Sequence, residues 1–143
     1  MREVIRSALV AQPPSRIYQI INDVDAYPRF LPWCNSARIE SASEREVVAT
    51  IGIKRGLLKI EFTTCNLLDP DRSVHMRLAK GPFKELDGLW TLTPIGDQGC
   101  RVQLELRFEF AVAGVGSVLE PLFEQAAASM VDAFVARAKM LYR

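Results

Sequence analysis

The chain has 143 residues, with 18 Lys and Arg side chains against 17 Asp and Glu, so its net charge is +1. This length fits one domain with its own core, and the near-neutral charge gives no general reason to expect DNA or an acidic membrane as partner. No run approaches the roughly 18 apolar residues of a membrane span, and the N-terminus lacks the apolar core of a signal peptide. Three cysteines lie far apart without metal-ligand or redox spacing, which favours free thiols in a reducing cytosol. We therefore expect a cytoplasmic protein without a metal or other cofactor. Peripheral contact with the inner membrane is an alternative that the sequence leaves open.

The first elements in chain order are a strand and two short helices. The strand is predicted over Glu3–Ala11, where β-branched residues precede a Pro-Pro pair. Isoleucines at helical spacing, with Pro14 in the first turn, predict an amphipathic helix up to about Asn22. Asp25 can cap a second short helical turn, which Pro32 ends.

From residue 35 onward the apolar period changes from 3.6 to 2, which predicts a succession of β-strands. Short turns such as Arg55-Gly56 join neighbouring strands and favour an antiparallel meander. Each strand has one apolar and one polar face, so the sheet is expected to be covered on one side only. The six predicted strands are Ala37–Ser41, Glu46–Lys54, a strand from Leu58 to the turn at Asp69, Val74–Leu78, Leu86–Leu92 and Arg101–Phe110.

The last predicted element is a long amphipathic helix from about Ser117 to Tyr142, along which apolar residues recur at spacings of three and four. Ser117 and Glu120 form a capping-box pattern at its start. The preceding segment, Ala111–Val118, is predicted either as a flexible connection or as a gate. Such a helix needs an apolar surface of similar length, which the sheet supplies. We therefore predict one α+β domain over residues 1–143, in which a curved antiparallel sheet of about six to seven strands wraps the helix.

Four segments resemble motifs of one protein superfamily. They are YPRFLPWC at 27–34, GPFKELDGLWTLTP at 81–94, FEF at 108–110 and MVDAFVARAKMLY at 130–142. With the strand order, they resemble the START-like, helix-grip superfamily of polyketide cyclases and lipid-transfer domains. Within it, the chain is similar to the coenzyme Q-binding and ribosome association toxin family. One departure is Cys65, which stands where other members carry a basic residue.

The resemblance implies two alternative functions, both of them non-enzymatic. Some members bind a polyprenyl quinone such as ubiquinone and support respiratory electron transfer, whereas a bacterial member binds the large ribosomal subunit and blocks subunit joining. The near-neutral charge puts the quinone first, because ribosomal RNA is bound through its phosphates. The ribosome alternative draws on Lys54, Arg55 and Lys59 of one hairpin and on Arg137, Lys139 and Arg143 near the C-terminus.

The chain offers little for catalysis. His75, the one histidine, is predicted on the solvated face of its strand, together with Arg77. Cys34 has no second histidine to activate it and is predicted to be a structural thiol. Cys65 is predicted to be exposed and inert. The sequence therefore predicts no catalytic residue and no metal site.

The candidate ligand site lies between the long helix and the sheet. Ala126–Ser129, in the middle of the helix, have small side chains, and Ala49, Gly52 and Gly88 on the strands are expected to face them. Small residues opposite small residues leave an apolar space, in which an isoprenoid chain would bury its methylenes at about 0.8 kcal/mol each. The alternative is a filled core in which the alanines permit close packing.

Arg137 falls within the apolar stripe of this helix. It is expected either to bind a ligand head group or to reach a carboxylate at the sheet edge with its charge in water. The aromatic residues Phe30, Trp33 and Trp90 have the character of core residues, and the resemblance adds the possibility that they line a cavity. The predicted ligand-binding residues are Phe30, Trp33, Trp90, Met130, Phe134 and Arg137.

Overall fold

The computed structural model describes residues 1–142, apart from the side chains of residues 113 and 115. Arg143, one of the predicted basic residues, lies outside the described residues. Seven strands form one antiparallel sheet in the order β1-β7-β6-β5-β4-β3-β2, so the predicted meander of six strands is confirmed and the first strand pairs with the last. The strands are β1 (Arg2–Val10), β2 (Cys34–Ala42), β3 (Glu46–Arg55), β4 (Leu58–Asp69), β5 (Ser73–Lys80), β6 (Phe83–Ile95) and β7 (Gly99–Phe110).

Strict alternation of apolar and polar residues fixes which face of each strand is buried. β7 is the clearest case, because every second residue from Cys100 to Phe110 is buried while Arg101, Glu105 and Arg107 are exposed. A register slip of one residue would turn this whole apolar set into water, so the pattern also fixes the pairing. The apolar face of the curved sheet is covered by the helices.

Two short helices and a 3₁₀ turn connect β1 to β2. Helix α1 (Pro14–Asn22) starts with proline, as predicted, and buries Ile17, Ile20 and Ile21. The 3₁₀ turn (Val24–Ala26) leads into α2 (Tyr27–Phe30). The predicted cap by Asp25 is wrong, because Asp25 lies inside the 3₁₀ turn and no side chain within residues 1–142 caps α2.

The long helix, α3 (Ala113–Leu141), begins earlier than predicted. The Ser117 hydroxyl donates to the Gly114 carbonyl at 3.0 Å, and Glu120 pairs with Arg2, so the predicted capping box is wrong. The early start is possible because Gly116 has no side chain: a Cβ there would lie 3.2 Å from the Phe110 Cβ at the end of β7. Most of the segment predicted as a connection or gate is therefore the first turns of the helix.

Aromatic side chains hold α3 against the sheet at two separate places. Around Phe123, four phenylalanines of β4, β6 and β7 have ring centroids 4.7–6.2 Å from its ring. About three turns later, Phe134 stacks on Trp90 of β6 with a centroid distance of 5.0 Å. The small residues Ala126 and Ala127 lie between these two contacts. No helix within residues 1–142 is both long and apolar enough to cross a membrane.

Candidate functional site

A cavity of about 50 Å³ lies between the middle of α3 and the apolar face of the sheet. The helix contributes Phe123, Ala126, Ala127 and Met130, and the connection between β1 and β2 contributes Ile21, Val24, Tyr27 and Trp33. The strands contribute Ile51, Ile53, Phe62, Thr64, Asn66, Val74, Met76, Leu86 and Leu106.

Small residues on the helix and the strands leave room for the cavity, although the predicted set of small residues is only partly correct. Gly88 faces α3, and a Cβ there would lie 2.6 Å from the Met76 Cε and 2.9 Å from the Leu106 Cδ1, so these two flexible side chains have filled the space. Gly52 does not face the helix as expected, because it alternates with the cavity-lining Ile51 and Ile53 and lies on the outer face of the sheet. The space that remains is therefore much smaller than one sized for an isoprenoid chain.

Two of the predicted ligand-binding residues line the cavity, and two others lie behind its wall. Trp33 and Met130 are in the lining. Trp90 and Phe134 are fully buried and stacked nearly parallel, at an interplanar angle of 10°, in the neighbouring core. Their stacking fixes the position of α3 relative to β6, and with it the width of the cavity.

Phe30 and Arg137 continue this aromatic row towards the surface. Phe30 is half-buried, with its ring centroid 5.6 Å from that of Phe134. The Arg137 Cζ lies 5.0 Å from the centroid of the Phe30 ring, which is the geometry of a cation–π contact. Among the described residues, no carboxylate lies within ion-pair distance of Arg137. Arg137 therefore contacts the Phe30 ring instead of the carboxylate at the sheet edge that was one of its two expected partners.

Two polar residues of the cavity were not predicted. Thr64 and Asn66 lie on the apolar face of β4 and are 4% and 7% exposed. The Thr64 hydroxyl donates to the Asn66 Oδ1 at 2.8 Å. The sequence did contain a signal, because Ile60, Phe62, Thr64 and Asn66 occupy every second position, so two polar residues continue an apolar face.

Trp33 separates the inner cavity from an outer groove of about 430 Å³. Trp33 and Ala126 line both spaces. The Trp33 Nε1–H donates to the Ser129 Oγ of α3 at 3.0 Å, and this hydrogen bond holds the indole across the boundary. Trp33 and Ala126 therefore form a wall that the cavity and the groove share.

The side chains that could carry out acid, base or nucleophilic chemistry are poorly suited to act on a ligand in the cavity. Burial raises the pKa of the Cys34 and Cys100 thiols, so the reactive thiolate is disfavoured. His75 lies on the outer face, where its Nε2 is 2.8 Å from the Asp87 carboxylate. Cys65 lies on the outer face opposite Arg77 of β5, but it is half-buried and not exposed as predicted, and burial raises its pKa too. Within residues 1–142, no three His, Cys, Asp or Glu side chains are grouped to hold a metal ion.

A long helix wrapped by a seven-stranded antiparallel sheet, with a cavity between them, defines a START-like, helix-grip protein. Residues 10–135 match the family described as polyketide cyclase/dehydrase and lipid transport. The chain belongs to this family, and the resemblance seen in the sequence is confirmed. A Zhui aromatase/cyclase from a Streptomyces species, 19% identical, has a TM-score of 0.85 over 99% of this chain and 96% of its own. This likeness concerns the fold alone, and it means that enzymes share the fold.

Two relatives represent the two functions that the resemblance implied. The ribosome association toxin RatA of Pseudomonas aeruginosa is 44% identical over 137 residues, which cover 96% of this chain and 95% of the relative. The mitochondrial coenzyme Q-binding protein coq10 of Schizosaccharomyces pombe is 28% identical, over 96% of this chain and 87% of its own. The toxin is thus the closer relative of the two.

Proposed function

We propose that this protein binds the large ribosomal subunit and interferes with subunit joining. The identity of 44% to a ribosome association toxin, over nearly the full length of both chains, carries this proposal. Identity to the quinone-binding relative is 28%. The size of the cavity supports the same order, because about 50 Å³ is far below the roughly 300–1,000 Å³ of typical ligand pockets. Binding to the ribosome therefore takes first place over binding of a quinone.

The tip of the β3–β4 hairpin is the surface that best suits a ribosomal partner. Lys54 and Lys59 are exposed and stand directly opposite each other in the strand register. Like charges in this arrangement repel, so an anionic partner such as an RNA phosphate would relieve the repulsion. Arg55 is also exposed and donates to the Gln125 Oε1 of α3, which ties the hairpin to the helix. Leu57, at the turn, is 100% exposed and offers an apolar contact between the cations.

Added protein is expected to shift ribosomes towards free subunits in sucrose gradients. Binding to isolated large subunits should weaken with salt, since phosphate contacts release counterions. The double variant Lys54→Gln/Lys59→Gln removes two cations and should reduce the slope of log affinity against log salt by about 1.4–1.8. The matched control is Arg45→Gln/Arg101→Gln, which removes two exposed cations elsewhere and should leave the slope unchanged. If the wild-type protein leaves the subunit balance unaltered, the proposal is wrong.

A second function, non-enzymatic binding of a hydrophobic ligand, is favoured by the cavity and its neighbouring groove. With Trp33 turned outward, the two spaces would form one apolar site along α3. A polyprenyl quinone is the specific ligand that we propose, with its chain against Trp33 and Met130. Phe30, Trp90 and Phe134 would support the wall, and Arg137 would meet a head group at the surface. Because such lipids reside in membranes, this function includes peripheral membrane contact.

The absence of catalysis is part of this second proposal. The fold occurs in enzymes, so it does not decide the question. Two features support binding without turnover. The polar side chains of the mostly apolar cavity lining are Tyr27, Trp33, Thr64 and Asn66, and burial raises the pKa of the Cys34 thiol. His75, the one imidazole, points away from the cavity on the outer face of the sheet.

Protein purified from its native host is expected to carry an isoprenoid lipid, detectable by organic extraction and mass spectrometry. Met130→Trp should reduce the extracted amount severalfold, because the larger side chain fills the cavity that Met130 lines. Met140→Trp is the matched control, since Met140 is on the same helix and 51% exposed. An empty extract, with no rise in melting temperature when quinone is added, would remove the ligand proposal and leave the ribosome proposal intact.

A further inference from the structure

One hydrogen-bond donor in the inner cavity is left open by the residues around it. Three polar side chains of the lining already donate a hydrogen bond: Tyr27 to a backbone carbonyl, Trp33 to a serine hydroxyl and Thr64 to the Asn66 Oδ1. The remaining polar side chain of the lining is Asn66, whose Nδ2 carries two N–H groups.

Asn66 lines the cavity, and its Nδ2 is the open donor. It has no hydrogen-bond partner among the described residues. Every fully enclosed side-chain nitrogen or oxygen within those residues does have a partner, so Nδ2 is not enclosed. Because Asn66 is 93% buried and belongs to the lining, the space that its Nδ2 reaches is the cavity.

We propose that Asn66 is a ligand-binding residue whose Nδ2 donates a hydrogen bond to a carbonyl oxygen of an apolar ligand. Thr64 is a positioning residue, because its hydroxyl occupies the Asn66 Oδ1 and so turns the NH₂ group towards the cavity. Because the Asn66 Oδ1 is occupied and the Asn66 Nδ2 is open, the pair selects ligands that carry a hydrogen-bond acceptor. The rest of the lining, such as Phe62, Leu86 and Leu106, selects an apolar body.

The ligand class is therefore a ketone, quinone or ester with a hydrocarbon chain. This inference rests on the proposed hydrophobic-ligand function, and it assigns the inner carbonyl to the sheet side of the cavity, opposite the helix that carries Arg137. Leaving a buried donor unpaired is unfavourable, so a ligand without a carbonyl should bind more weakly. One uncharged hydrogen bond corresponds to a preference of roughly twofold to tenfold.

The test compares 2-octanone with 2-methyl-1-octene, in which a methylene group replaces the carbonyl oxygen. Both are titrated into ¹⁵N-labelled full-length protein and followed by NMR. We expect the ketone to bind the wild type about twofold to tenfold more tightly and to shift the Asn66 side-chain amide signals. Asn66→Leu and Thr64→Val should lower this preference without abolishing binding of the alkene. Thr63→Val, the same change on the outer face of the same strand, should keep the preference.

The outcomes distinguish the role of Asn66 from the hydrophobic-ligand function on which that role rests. If both probes bind the wild type equally, or the preference survives in Asn66→Leu, Asn66 does not recognise the carbonyl, although the ligand site stands. If neither probe binds, the hydrophobic-ligand function itself is wrong, and the role of Asn66 is wrong with it. If Asn66→Leu does not fold, the wild-type amide shifts decide: equal shifts with ketone and alkene overturn the assignment.

Discussion

Replacing Phe134 with alanine is expected to lower the free energy of unfolding by about 3–5 kcal/mol. The ring is 0% exposed and stacks on Trp90 at 5.0 Å. Two further rings, those of Tyr27 and Phe30, have centroids 5.4 Å and 5.6 Å away. These neighbours belong to β6 and to α2, and both elements are packed into the core, so the structure can collapse into the vacated space only in part. The cost should therefore include a cavity term as well as the lost burial.

Urea unfolding followed by far-ultraviolet circular dichroism measures this change without relying on Trp90 fluorescence, which the substitution itself would alter. Met140→Ala is the control on the same helix, because Met140 is 51% exposed. Its effect should stay within about 0.5 kcal/mol. A loss below about 1 kcal/mol for Phe134→Ala would mean that α3 is not packed on β6 as described.

Alkaline pH is expected to destabilise the protein through Tyr27. This hydroxyl is buried and donates to the Ile21 carbonyl, and burial raises its pKa well above the ordinary value of 10.0. Between about pH 10 and the raised folded-state pKa, the unfolded chain loses this proton while the folded chain keeps it. Stability contributed by the neutral hydroxyl is therefore present below about pH 10 and is lost above it, by about 1.4 kcal/mol per pH unit.

Tyr27→Phe isolates this contribution. At about pH 8 the variant should be less stable than the wild type by about 0.5–1.5 kcal/mol, because the Ile21 carbonyl loses its donor. As the pH rises above 10, the wild type loses stability through the Tyr27 hydroxyl, whereas the variant has no hydroxyl at this position. The difference in free energy of unfolding between the two proteins should therefore disappear near pH 11. Urea unfolding of both proteins across this range makes the comparison. A gap that stays constant would show that Tyr27 does not keep its proton in the folded state.

The fold was predictable wherever one face of an element is buried along its whole length. β7 is such a case, since its period of two ran unbroken and fixed both the strand and its buried face. The start of α3 was not predictable from its capping residues, because what permits it is the packing of Gly116 on Phe110, a contact between elements. Propensity at a helix end is a weak signal beside such tertiary packing.

The site was less predictable because the volume of a cavity depends on how far the neighbouring side chains extend into it. The sequence identified the small residues Ala126 and Gly88, but it could not reveal that Met76 and Leu106 reach into the same space. Gly52 was assigned to the wrong face although its own alternation with Ile51 and Ile53 gave the correct one. The polar pair on β4 was visible as a break in an apolar series, yet its hydrogen bond exists only in three dimensions.

The pairing of β1 with β7 has a consequence for how the chain reaches this structure. Arg2 pairs with Phe108 and Val10 with Cys100, so the first strand has no partner until β7, the last strand of the sheet, has been made. Such distant pairing makes folding slow, in the range of milliseconds to seconds for sheets of high contact order. During synthesis the apolar face of the meander also stays uncovered until α3 has been made. The nascent chain can therefore complete this domain only after α3 has been synthesised, and until then it presents an unpaired β1 and an open sheet to chaperones or to other chains.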